Sequence, residues 1–210
     1  MLESLPSPDI LQTWILPAML GLGLAAASGL RIFIPLLMAA LAARFQLFGI
    51  ELNESMAWMT SNTAIAALGL ATVLEVVADK IPLLDNALHA VGIVARPIAG
   101  AVAAGSVFAG LDPTAAAVAG IIVGAPTALA FGAAQGGTRA ASTATTGGLA
   151  NPFLSLMDDV LSIGTVLLAF LMPMLIPVAL LLVFWGVWKL YHRWQRDRGP
   201  NSNRIEPAGG

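Results

Sequence analysis

Between residues 10 and 194 the sequence is a succession of apolar runs with only short polar breaks between them. A helix of about 20 apolar residues covers the hydrocarbon thickness of a bilayer. The runs at 10–48, 63–78, 86–111, 114–134, 153–172 and 173–194 leave little chain for anything else. Lipid offers backbone N–H and C=O groups no partners, so such runs satisfy themselves as helices. A water-soluble alternative would need a charged exterior. Only 10% of the residues are charged and 58% are hydrophobic, where a typical soluble domain carries about 25% charged residues. The expected fold class is all-α, a polytopic helical membrane protein with about six to eight membrane-embedded segments, some of them not crossing fully.

The ends of the chain suggest an orientation. Residues 1–9 hold Glu3 and Asp9 and offer no basic stretch ahead of the first apolar run, so that run is expected to stay as a membrane helix and not be cleaved as a signal peptide. Lys189, Arg193, Arg196, Arg198 and Arg204 make up half of the ten Lys and Arg residues and follow the last apolar run directly. Positive charge flanking a membrane helix favours the cytoplasmic side. The expected location is the cell (inner) membrane, with the C-terminus cytoplasmic. The five Trp residues stand near run ends, where an amphipathic ring prefers the membrane interface.

Two of the breaks look alike. Ala26-Ala27-Ser28-Gly29-Leu30-Arg31 and Ala134-Gln135-Gly136-Gly137-Thr138-Arg139 both place small residues and glycine ahead of an arginine. Each is followed by an acidic element, Pro82-Leu83-Leu84-Asp85 in one half and Asn151-Pro152 leading to Asp158-Asp159 in the other. This reads as an internal repeat, inverted if each half crosses the membrane an odd number of times. The organisation expected is a lead at 1–9, a first membrane repeat at 10–111, a second at 112–195 and a disordered basic tail at 196–210. A helix restarting after a glycine break presents unpaired N–H groups and the positive end of its dipole. With an arginine in its first turn it suits an anion or a carboxylate. Ser28, Gly29, Arg31, Gly136, Gly137, Thr138 and Arg139 are therefore candidate substrate-binding residues. The Thr-rich stretch at 141–148 reads as a re-entrant segment lining a cavity, with an extramembrane loop as the alternative.

Charge inside apolar runs is costly and marks a functional or structural partnership. Glu75 and Asp79 are four apart and share a helix face. Two carboxylates so close need a cation between them, or one keeps its proton. Either outcome suits a relay, and an ion pair with Lys80, Arg31, Arg96 or Arg139 is the structural alternative. Glu75, Asp79, Asp85, Asp158 and Asp159 are the candidates for proton or cation coupling. Arg96 lies between Gly92 and Gly100, each about a turn away, in a groove of small residues that a neighbouring helix could approach. It joins the substrate-binding candidates. Pro97 frees one backbone carbonyl beside it.

No catalytic constellation appears. Cysteine is absent, the two histidines His89 and His192 lack ligand spacing, and no nucleophile elbow, phosphate loop or zinc motif is present. No catalytic residue, metal site or cofactor is expected. The partners implied are membrane lipid, a small anion or lipid-phosphate ligand, and a second copy of the chain, with no nucleic acid.

Three strings in one order carry a resemblance: Ala-Ala-Ser-Gly-Leu-Arg at 26–31, Glu75 with Ala-Asp-Lys-Ile-Pro at 78–82 and Asp85, and Ala-Arg-Pro-Ile-Ala-Gly at 95–100. Together they resemble the bacterial membrane family catalogued as domain of unknown function 4126, over roughly residues 21–194. The resemblance implies an integral membrane location and a helical fold, and brings no activity with it. Three functional readings follow from the residues. The leading one is a small transporter or channel, not an enzyme, with a central polar site between two repeats that takes an anionic or phosphorylated substrate coupled to protons or cations. The alternatives are an accessory or scaffold membrane subunit and an intramembrane lipid-modifying enzyme. A structure with every buried charge paired and no polar pocket would favour the scaffold.

Overall fold

The computed structural model describes residues 10–197, with the side chains of residues 82–89, 187, 190, 191 and 194–197 outside that description. The expected tail from Arg198 onward lies outside the described residues, as does the lead at 1–9. Those described fold as helices without strands.

A π-helical turn, Leu11–Ile15, leads into α1, Leu16–Leu30. Arg31 leaves helical geometry (φ −136°, ψ 127°) and α2, Phe33–Arg44, restarts two residues later. Pro35 fixes the position of this break, because its ring crowds the carbonyl four residues back, that of Arg31, and it has no N–H to give that carbonyl. In the first turn of a new helix the same proline costs nothing.

The polar loop after α2 is anchored at both ends. Arg44 donates to the Thr60 carbonyl at 3.1 Å and to Asn62 Oδ1 at 3.0 Å. Asn53, fully buried, donates through Nδ2 to the carbonyls of Phe108 and Leu111 and accepts at Oδ1 from Ser55 N. A 3-10 helix, Glu54–Thr60, then meets α3, Asn62–Ala78, at a bend of 71°, and the Ser61 side chain caps α3 by accepting from Ala64 N.

Next come α4, Pro82–Ser106, and α5, Pro113–Thr146, which Asp112 caps by accepting from Thr114 N and Ala115 N. These two helices share the most extensive contact in the fold. Glycine makes the approach feasible: a Cβ on Gly124 would overlap the backbone of Gly100, and one on Gly120 would overlap Gly105 and the Ala101 carbonyl. Small residues that let backbones meet are the usual means of joining apolar helices where no hydrophobic force drives association. A helix α6, Asn151–Leu171, and a 3-10 turn, Pro173–Leu175, complete the first compact unit, which runs to Ile176. Within it α1 packs against α4, α5 and α6, and the core is rich in alanine, with Ala27, Ala39, Ala40 and Ala103 fully buried.

The second unit, from Pro177, holds nearly all of α7, Ile176–Asp197. Its apolar part, including Leu181, Leu182 and Phe184, is exposed around the helix. Past Trp185 and Trp188 it turns basic, with Lys189 Nζ 4.6 Å from the centre of the Trp185 ring and His192 edge-on to Trp188.

The second expected break is not there. α5 continues through Gln135-Gly136-Gly137-Thr138-Arg139 to Thr146, and ends only at Gly147 in the left-handed region (φ 63°). No proline follows Arg139 within a turn, and alanines on either side favour helix. The Thr-rich stretch is likewise helix over 141–146, neither re-entrant hairpin nor loop, because its hydroxyls bond back along the helix, Thr145 to the Ala141 carbonyl and Thr146 to that of Ser142. The two arginines therefore sit on unlike backbones, and the correspondence of breaks on which an inverted repeat was read is lost.

Among the described residues, three helices are long and apolar enough to cross a membrane: Leu11–Leu30, Pro113–Thr146 and Asn151–Leu171. The bent pair Glu54–Thr60 and Asn62–Ala78 makes a fourth if it counts as one span. Apolar helices Phe33–Arg44, Ala90–Ser106 and Pro173–Gly186 are shorter. Exposed Leu70, Val73, Val94, Ile121, Ile122 and Val160 line the outer flanks. Apolar surface this continuous suggests lipid, not water, as the solvent.

Candidate functional site

The break between α1 and α2 creates two orphan N–H groups, at Ile32 and Phe33. The Glu75 carboxylate, reaching over from α3, accepts both: Oε1 from Ile32 N at 2.8 Å and Oε2 from Phe33 N at 3.1 Å. A carboxylate spanning the N–H groups of a helix start meets both the unpaired donors and the positive dipole end. The anion expected at this break is thus a side chain of the protein itself.

One turn further along α3, Asp79 joins the two arginines. Arg139, from α5, meets it as a fork, Nη1 to Oδ1 at 2.8 Å and Nη2 to Oδ2 at 3.0 Å. Arg31 places Nη2 2.6 Å from Asp79 Oδ2, and the Ser155 hydroxyl donates to the same oxygen. The planar guanidinium makes the two-point contact with Arg139 directional as well as strong. Aspartates on α6 close the other side. Arg31 Nε lies 2.6 Å from Asp159 Oδ1, Arg139 Nη2 donates to Asp158 Oδ2 at 3.0 Å, and Gln135 Nε2 donates to that oxygen at 2.6 Å and to the Leu30 carbonyl at 3.1 Å. Arg31 is 2% exposed and Arg139 7%. Lys80, whose side chain is about half exposed, reaches only the rim, 3.8 Å from Asp159.

The structure thus brings Arg31, Glu75, Asp79, Arg139, Asp158 and Asp159 into one buried junction drawn from four segments. Ser28 and Gly29 flank it: the Ser28 hydroxyl bonds back to the Leu24 carbonyl at 2.9 Å, and Gly29 lets α5 pass close, a Cβ there falling 2.5 Å from the Ala128 carbonyl. Gly137 and Thr138 face outward on α5 and take no part. Gly136 and Arg96 belong to a separate pocket between α4 and α5. Asp85 and His89 lie on α4, and their side chains are outside the described residues. Gln135 and Ser155 were not anticipated. Their spacing could have flagged them, since Gln135 is one turn before Arg139, and Ser155 is three and four residues before the two aspartates.

A buried arrangement of opposite charges can hold helices in register, or it can open for a ligand that replaces one of its members. Among the described residues no group of three or more His, Asp or Glu side chains is placed to hold a metal ion.

Taken together, these features define an all-helical protein with lipid-suited flanks around a charged interior. The chain belongs to the family described as Domain of unknown function (DUF4126), which it matches over residues 18–193. Comparison with curated proteins and with solved structures gives no match.

Proposed function

We propose that the chain is a small inner-membrane carrier or channel for an anion, coupled to protons or cations, with its centre at the Arg31–Asp79–Arg139 junction and its C-terminus in the cytoplasm. One observation carries this reading: Glu75 occupies the N–H pair at the start of α2 as an anion would. A proton on Glu75 removes its charge, loosens its hold on Ile32 and Phe33, and leaves two donors beside Arg31 for a substrate anion. Asp79, Asp158 and Asp159 then serve as counter-ions that keep the arginines apart in charge while the site is empty. The junction draws Arg31, Glu75 and Asp79 from residues 10–111 and Arg139, Asp158 and Asp159 from residues 112–195, which supports a centre shared by two halves of the chain.

A second reading, the accessory or scaffold subunit, is supported by the completeness of the pairing: each charge in the junction has an opposite charge or a donor on it. The two readings part over Glu75. In the carrier reading, Glu75→Gln empties the site of its internal anion, so phosphate or sulfate should raise the melting temperature of the purified variant more than that of the wild type. A ligand at a hundred times its Kd stabilises by about 2.7 kcal/mol. Arg31→Gln should abolish the effect and Arg193→Gln should not. If no anion from a panel of phosphate, sulfate, chloride and carboxylates shifts either protein, the scaffold reading stands instead.

A further inference from the structure

Arg96 is the exception to the pairing. It forms no ion pair among the described residues, its Nε is buried without a hydrogen-bond partner, and its one hydrogen bond, from Nη1 to the Gly132 carbonyl, is long at 3.5 Å. The guanidinium lies in a pocket of about 210 Å³ between α4 and α5, lined by Gly92, Ile93, Pro97, Leu129 and Gly132 among others. The glycines make its bed. A Cβ on Gly92 would come 3.2 Å from Arg96 Nε, and one on Gly132 would come 3.0 Å from Arg96 Cδ. Glu75 and Asp158 attract Arg96 only from beyond contact distance, and Arg31 and Arg139 repel it, so a largely buried guanidinium with no anion in direct contact favours a ligand that supplies one.

We infer that this pocket binds the phosphate of an anionic membrane lipid, with Arg96 as its counter-charge. The mouth favours lipid over a soluble anion. Ile93 and Leu129, 64% and 51% exposed, flank it on the helix faces suited to hydrocarbon, so acyl chains would continue over them from a headgroup seated at Arg96. Pro97 adds a polar contact, since it has no N–H to give the Ile93 carbonyl one turn back, and a headgroup hydroxyl can donate there instead. The pocket has its own lining but lies within electrostatic reach of the junction charges, and the inference rests only on the membrane reading.

The test uses the full-length protein in nanodiscs of phosphatidylcholine alone or with phosphatidylglycerol, read by native mass spectrometry and by melting temperature. Wild type should retain phosphatidylglycerol and melt higher as its fraction rises. Arg96→Gln should lower retention by roughly tenfold, as loss of a charge-assisted contact implies, while Arg193→Gln leaves it unchanged. Leu129→Trp, which blocks the mouth from an exposed position, should lose retention too, and it decides the matter if Arg96→Gln fails to fold. Equal retention of the two lipids by wild type, or full retention by both pocket variants, would overturn the proposal. Stabilisation of wild type by inorganic phosphate in phosphatidylcholine alone, lost in Arg96→Gln, would also overturn it by making this a soluble-anion site.

Discussion

At the scale of the residue, the energetics turn on how charges are compensated once they are buried. Asp79 receives both arginines and the Ser155 hydroxyl with its side chain only 6% exposed. Removing one partner of a buried pair leaves the other uncompensated and costs about 3–5 kcal/mol. Asp79→Asn should therefore lower stability by that order in a denaturant or thermal series in detergent. Lys80→Ala, its neighbour in sequence, removes a half-exposed ion pair at 3.8 Å and an exposed hydrogen bond from Nζ to the Val76 carbonyl at 3.2 Å, and should stay within about 0.5 kcal/mol of wild type. Equal effects of the two substitutions would mean that the junction is not the anchor that its geometry implies. The charged members of the junction were legible in the sequence because an ionisable residue in an apolar run has to be explained. Their pairing was not. Asp79 was as open to Lys80 or Arg96 as to Arg31 and Arg139, and only the packing of α3 against α2, which brings Asp79 to the α1–α2 break and within reach of Arg139, selects among them. Gln135 and Ser155 passed unnoticed because neutral polar side chains are common in such helices and cost little when they bond locally.

Among elements, the contrast between the two glycine-arginine segments is instructive. Ser28-Gly29-Leu30-Arg31 breaks and Gly136-Gly137-Thr138-Arg139 does not, although the second has more glycine. Glycine permits a helix to stop, but a proline four residues on obliges it to yield, and Pro35 is the difference that was available in the sequence. Pro97 and Pro126 lie inside α4 and α5 without ending them, so the proline rule alone is insufficient: the α2 start is also secured by Glu75. The α4–α5 contact gives a second test at this scale. Gly124→Ala places a methyl against the Gly100 backbone and should lower the melting temperature, with a loss of about 1–3 kcal/mol expected for overpacking. Gly137→Ala points into open space and should be neutral or stabilising by up to about 1 kcal/mol, since alanine is the better helix former. The opposite ranking would show that α4 and α5 do not pack through Gly100 and Gly124.

For the whole molecule, the long apolar runs announced a helical protein, and the apolar helices suggest lipid as its solvent, while the number of crossings was much harder to read. Run length counts residues, not direction. At 1.5 Å per residue the 34 residues of α5 span about 51 Å, more than the ~30 Å hydrocarbon layer, whereas α2 has only 12 residues. The helices differ widely in length, and what the α1–α2 break, α3, α5 and α6 have in common is the charged junction they form. α7 repeats the theme in its own unit, apolar until Trp188 and basic after it, as a helix end at a membrane interface is. The central claim is that Glu75 holds the place of a substrate anion at the start of α2. The most direct measurement is the structure of the Glu75→Gln protein soaked in selenate, located by the anomalous signal of selenium. The account predicts selenate within hydrogen-bond distance of Ile32 N and Phe33 N beside Arg31, with the Asp79 fork to Arg139 opened or lengthened. A glutamine that still caps α2, an intact fork and no selenium signal in the junction would contradict it.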